Sequence, residues 1–108
     1  VLVTGQDATV AGIQNILLGN QSMTVYKAIS KEANAAAQLA AALSAGTSTD
    51  SLTNGAKTAT QDGGNLASVL ETPVAVDKTN IASTVLADGF VTKADICANV
   101  PAGTDGIC

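Results

Sequence analysis

From Val1 to Tyr26 the chain carries a single charged side chain, Asp7, and along that stretch its apolar residues change period twice. Val1, Leu2 and Val3 form a short continuous apolar run, the pattern of a strand covered on both faces. Gly5 and the polar residues after it end that strand. Thr9 suits a helix N-cap, and behind it Val10, Ile13, Ile16 and Leu17 recur at helical spacing. Gly19 and Asn20 stop the helix. Met23 to Tyr26 returns to β-branched and aromatic residues, as a pleated strand prefers. The spacing therefore predicts strand, loop, helix, strand, and an α/β fold.

The placement of charge in this unit carries its chemistry. Asp7 falls just past the carboxyl end of the first strand, and Lys27 ends the second. In open α/β sheets ligands bind outside those strand ends. A carboxylate accepts hydrogen bonds on two oxygens and suits neighbouring hydroxyls of a polyol, while an ammonium donates up to three to acceptor oxygens. On spacing alone Asp7 reads first as a turn residue bonding its own backbone amides. Lys27 alone reads as a solvated strand end.

Gly5-Gln6-Asp7-Ala8, Ala11-Gly12-Ile13 and Met23-Thr24-Val25-Tyr26-Lys27 together resemble the xylose-binding branch of the periplasmic sugar-binding proteins of bacterial ABC transporters. The resemblance continues through Leu52-Thr53-Asn54-Gly55, Leu70-Glu71-Thr72-Pro73-Val74-Ala75-Val76 and Asp88-Gly89-Phe90. It runs over roughly residues 1 to 96 and falls on the C-terminal third of such proteins. It implies a partial periplasmic-binding-protein fold, with strand-helix-strand units contributing to two lobes joined by hinge crossings. It also implies that Asp7 and Lys27 contact a monosaccharide such as D-xylose, and that the remainder of a parent chain and a membrane permease are partners. Closure about a hinge is the transition such a transporter reads.

Composition agrees with a piece of something larger. The 108 residues suffice for one small domain, but Tyr26 and Phe90 are the only aromatics, and alanine supplies much of the apolar content. Alanine buries little area, so the chain is expected to need further chain to pack against. Histidine is absent, which removes the commonest general base and metal ligand. Nine acids against five lysines give a net charge of −4, which argues against nucleic acid as a partner. No apolar run approaches a membrane span, and no basic leader precedes Val1, so export has to be inferred from elsewhere in the parent chain.

Cys97 and Cys108 offer that inference. Paired, they close a short loop worth about 3 kcal/mol on the chain-entropy model and point to an oxidising, extracytoplasmic compartment. The alternatives are two free thiols or half of a metal site, but no other cysteine or histidine exists to complete a zinc centre. No cofactor or metal is expected.

The remaining chain reads as follows. Residues 28 to 46 predict a helix capped by Ser30, with Glu32 in its first turn and Gly46 at its end. Its stripe of Ala36, Leu39, Ala40 and Leu43 is expected to bury against a sheet. Residues 47 to 65 read as a surface loop with a hairpin near Asn54-Gly55 and a turn at Asp62-Gly63-Gly64. Pro73 interrupts two strand-like pieces. Asp77 or Thr79 caps a short helix that buries Ile81, Val85 and Leu86. Gly89 stops it, Phe90 anchors a core, and Thr92 to Cys97 form one more helical turn. The expected division is 1–27 in the sugar-binding lobe, 28–70 in the other lobe, and 71–108 as the return crossing and disulfide-closed tail.

Three function classes compete: a solute-binding component of a sugar importer, a sugar-sensing module of the same fold that signals to a membrane partner, and an enzyme. The last lacks histidine, a nucleophile elbow and a phosphate loop. Unpartnered apolar faces also lead us to expect self-association of so short a piece.

Overall fold

In the computed structural model, which describes residues 1 to 108, strand β1 (Thr24–Tyr26) lies between two partners. On one side the segment from Val3 to Asp7 runs parallel to it, bridged at Thr4 and Met23. The Ser22 amide donates to the Val3 carbonyl at 2.7 Å, Gly5 to Met23 at 3.0 Å, Val25 to Gly5 at 3.2 Å, and Asp7 to Val25 at 2.8 Å. On the other side β4 (Val74–Val76) pairs antiparallel, with Thr24 opposite Val76 and Tyr26 opposite Val74. Thr24 and Tyr26 are buried and Val25 is half-buried, the alternation that a strand with one covered face requires.

Helix α1 (Val10–Leu17) follows the parallel segment. The Thr9 hydroxyl accepts from the Gly12 amide at 3.1 Å, as an N-cap should. Ile13, Ile16 and Leu17 are buried, and Gly19 takes φ 80° to end the helix. Helix α4 (Lys93–Cys97), capped by Thr92, packs against α1 and buries Ile96. The Gln14 carboxamide donates to the carbonyls of Asp95 and Ala98, both at 2.9 Å, and so occupies acceptors at the end of α4. Val76, Ile81, Val85, Val91 and Val100 complete this core. Each large apolar side chain in it contributes about 1.5–3 kcal/mol by leaving water.

These elements form one compact unit, Val1–Lys27 with Pro73–Cys108; the second unit is Ala28–Thr72. The second unit contains helix α2 (Ile29–Ser44), the single turn α3 (Asp50–Thr53) and a hairpin of β2 (Lys57–Ala59) with β3 (Asn65–Ala67). Thr53 is its one buried residue.

Several expectations are corrected. Val1 and Leu2 are exposed, because no element of the unit covers the start of the parallel segment; its backbone pairing begins at Val3. Ala28, not Ser30, precedes α2, and no side chain caps it. No residue of α2 is buried, and Leu43 is 70% exposed, because all six hairpin residues are themselves exposed and offer no covering sheet. The hairpin turns at Thr60–Gly64 instead of Asn54-Gly55. There Asp62 accepts from the Thr60 hydroxyl and the Gly64 amide, which hold its carboxyl below the usual value. Asn54 and Gly55, with φ of 49° and 76°, terminate α3 instead. The helix after Asp77 is a π-helical stretch, Ala82–Leu86, with no side-chain cap. Asp77 shapes the turn before it by accepting from the Thr79 amide and hydroxyl, while its own amide donates to Asn80.

Candidate functional site

The parallel ladder decides where the charged residues meet. Two neighbouring strands that run the same way end at the same edge, so the residues just past their carboxyl ends come together. Asp7 follows one and Lys27 the other, and Lys27 Nζ stands 2.8 Å from Asp7 Oδ1. The pair is open to solvent, with 62% of the Asp7 side chain and 39% of the Lys27 side chain accessible. Both groups are therefore within reach of a ligand arriving at that edge.

The turn that presents Asp7 is unusual. Asp7 and Ala8 both take left-handed backbone conformations, with φ of 77° and 48°. For residues with a Cβ this costs on the order of 1 kcal/mol each, and such conformations persist only where the surroundings over-determine them. Here the Asp7 amide donates to Val25, and the Ala8 amide donates to the Thr24 hydroxyl at 3.2 Å. Ala8 and Thr24 are fully buried. On the near side, Gln21 lies so close over Gly5 that a Cβ there would fall 2.5 Å from the Gln21 amide nitrogen, and that nitrogen donates to the Met23 carbonyl. The backbone bends at Asp7, but its side chain bonds Lys27 instead of its own backbone amides.

Sequence reasoning did not find Thr24. Its signal was a β-branched polar residue two positions before Tyr26, on the same strand face as that buried ring. Nor did it orient Tyr26. The Tyr26 hydroxyl donates to Asp88 at 3.1 Å, and burial, then the Asp88 bond and its negative charge, hold the phenol above its usual pKa.

Cys97 and Cys108 are joined in a disulfide, with Cα atoms 5.4 Å apart. The closed tail is also tied by an ion pair of 3.4 Å between Lys78 and Asp105. No group of three or more His, Cys, Asp or Glu side chains is arranged to hold a metal ion. No helix is long and apolar enough to cross a membrane. Within the second unit an open groove of about 540 Å³ is lined by Lys31, Asn34 and Gln38 of α2, by Asn54, and by Leu70 and Glu71.

No family model matches the chain. Relatives do. The chain is 43% identical over 99 residues to the D-xylose-binding periplasmic protein of Haemophilus influenzae, across 89% of its own length. Its identity to the D-xylose-binding periplasmic protein of Escherichia coli K12 is 41%, over the same share. The chain spans about 28% of the length of each of these relatives. Among solved structures it superposes, with a TM-score of 0.75 and 29% identity, on an ABC transporter solute-binding protein from Clostridium phytofermentans with bound β-D-glucose. That match covers 88% of this chain and 29% of the other. In sequence and in fold, these 108 residues are similar to part of the periplasmic sugar-binding proteins.

Proposed function

We propose that the chain is part of the solute-binding component of an ABC-type sugar importer, and that Asp7 and Lys27 are its contributions to a monosaccharide site. The observation that supports this reading is the pair itself: a carboxylate and an ammonium 2.8 Å apart, both reachable from solvent. They sit at the carboxyl ends of two parallel segments, and the backbone at Asp7 is held in the left-handed region. Asp7 has a second oxygen free of that contact to accept sugar hydroxyls, and Lys27 donates to ring or hydroxyl oxygens. Once water is expelled, a sugar that leaves the Asp7 carboxylate without a donor is rejected.

D-xylose is the first sugar to try, because the two relatives quoted are named for it; D-glucose is the second, because it occupies the similar solved structure. The division at Lys27 and Pro73 supports assigning 1–27 and 73–108 to one lobe and 28–72 to the other. The relatives' extra length would supply the rest of the site, including aromatic faces for the sugar, since this chain has no tryptophan and its tyrosine is buried. An extracytoplasmic location fits the disulfide. The role requires binding and no chemistry.

The test is calorimetric titration of the parent protein with D-xylose and D-glucose, before and after Asp7→Ala and Lys27→Met. Each substitution is expected to weaken binding by about a hundredfold or more, the loss of a charge-assisted contact in a closed site. Unchanged affinity in both variants would remove these residues from the site. Deleting the gene should abolish uptake of the sugar; normal uptake alongside tight binding would move the reading to a sensing module.

A further inference from the structure

We propose that Thr24 is a positioning residue for Asp7, acting through the backbone and never touching the ligand. The inference rests on the sugar-site reading of Asp7. Asp7 meets Lys27 from a turn in which Asp7 and Ala8 are both left-handed. Neither residue is a glycine, so the turn relaxes toward ordinary backbone unless something holds it. The Asp7 amide is held by the Val25 carbonyl, a bond any residue at position 25 would supply. The Ala8 amide is held by a side chain, the Thr24 hydroxyl, at 3.2 Å in a fully buried setting. Only residue 24 can make that bond, since β1 directs position 24 toward the buried face beneath the turn.

A buried amide deprived of its acceptor bears the full cost of desolvation, whereas one rotated toward water does not. Loss of the hydroxyl therefore favours an Ala8 that swings outward, and Asp7, bonded to it covalently, turns with it. Valine fills the same space as threonine without an acceptor, and serine keeps the acceptor without the methyl group. This pair of substitutions separates hydrogen bonding from packing.

The experiment compares Thr24→Val, Thr24→Ser and, as a core control on another element, Val85→Ala. In the parent protein Thr24→Val is expected to weaken sugar binding about tenfold. Thr24→Ser should stay within about threefold, and Val85→Ala should lower the melting temperature while leaving affinity unchanged. In parallel, in the 108-residue chain without sugar, the nuclear Overhauser contact between the Asp7 and Lys27 side chains should vanish in Thr24→Val and survive in Thr24→Ser. That second measurement does not depend on sugar binding, so a parent protein that binds no monosaccharide defeats the functional reading and leaves this inference to be judged on the contact. A Thr24→Val chain that keeps the Asp7–Lys27 contact overturns it. Should Thr24→Val not fold, hydrogen exchange of the unmodified chain decides: the Ala8 amide must be as slow as those of β1, and fast exchange overturns the assignment.

Discussion

The rings of Tyr26 and Phe90 lie 4.9 Å apart, tilted by 51°, so the only two aromatic residues of the chain are spent on each other. Such a tilted pair is worth about 0.5–1.5 kcal/mol beyond the area it buries. Tyr26 ends β1 one residue before Lys27, so this contact also braces the strand end that carries the ammonium.

Tyr26 gives the fold an alkaline limit. Its phenol is held above the usual value in the native state, first by burial and then by Asp88. The unfolded chain ionises its tyrosine first, near the ordinary value of 10.0. The stabilisation is therefore complete below that pH and is lost as pH rises through the raised native pKa. Chemical denaturation across the alkaline range should show stability falling. Tyr26→Phe should flatten that fall at a cost of about 1 kcal/mol at neutral pH, the worth of the lost hydrogen bond.

The Asp7–Lys27 pair should matter little to folding. Both side chains are substantially exposed, and ion pairs in such settings contribute about 0–1 kcal/mol. Asp7→Ala and Lys27→Met are expected to change the unfolding free energy of the isolated chain by less than about 1 kcal/mol, measured in urea. A much larger loss would make the pair a structural brace in place of a ligand site.

The two units should differ sharply in hydrogen exchange. Ile13, Ile16, Val76, Ile81, Val85 and Ile96 are fully buried in the first, whereas α2 buries nothing in the second. Amides of α1 and β1 should exchange by global opening, and those of α2 by local fraying. Ile13→Ala should cost about 2–5 kcal/mol, while Leu43→Ala should stay within about 0.5 kcal/mol. Protection in α2 equal to that in α1 would mean that the helix is covered, and light scattering would then reveal self-association.

Reduction of the disulfide should lower the stability of the first unit by about 2–3 kcal/mol, the closure entropy of so short a loop. Thiol titration of the unreduced protein should find none. A Cys97→Ser, Cys108→Ser double variant that melts with the wild type would show that the Lys78–Asp105 ion pair and α4 packing already fix the tail.

The sequence by itself determined the local elements whose instructions lie within a few residues. Thr9 and Gly19 set the ends of α1, and the spacing of Ile13, Ile16 and Leu17 set its buried side. Two cysteines with no histidine argued against a zinc centre and favoured the disulfide that the fold forms. Where an outcome depended on what lay across from an element, sequence reasoning erred. The small-residue stripe of α2 is a real pattern, but burial needs a second surface, and the hairpin of its unit does not provide one. Val1 and Leu2 read as a covered strand and are bare for the same reason. Asn54-Gly55 has the chemistry of a hairpin turn, yet left-handed residues also end helices, and α3 claimed them. Only the tertiary structure decided that Asp7 meets Lys27, because parallel pairing sets two distant strand ends at one edge. It also placed a threonine hydroxyl under the turn between them, since hydrogen bonds across strands follow register, which no short stretch of sequence contains.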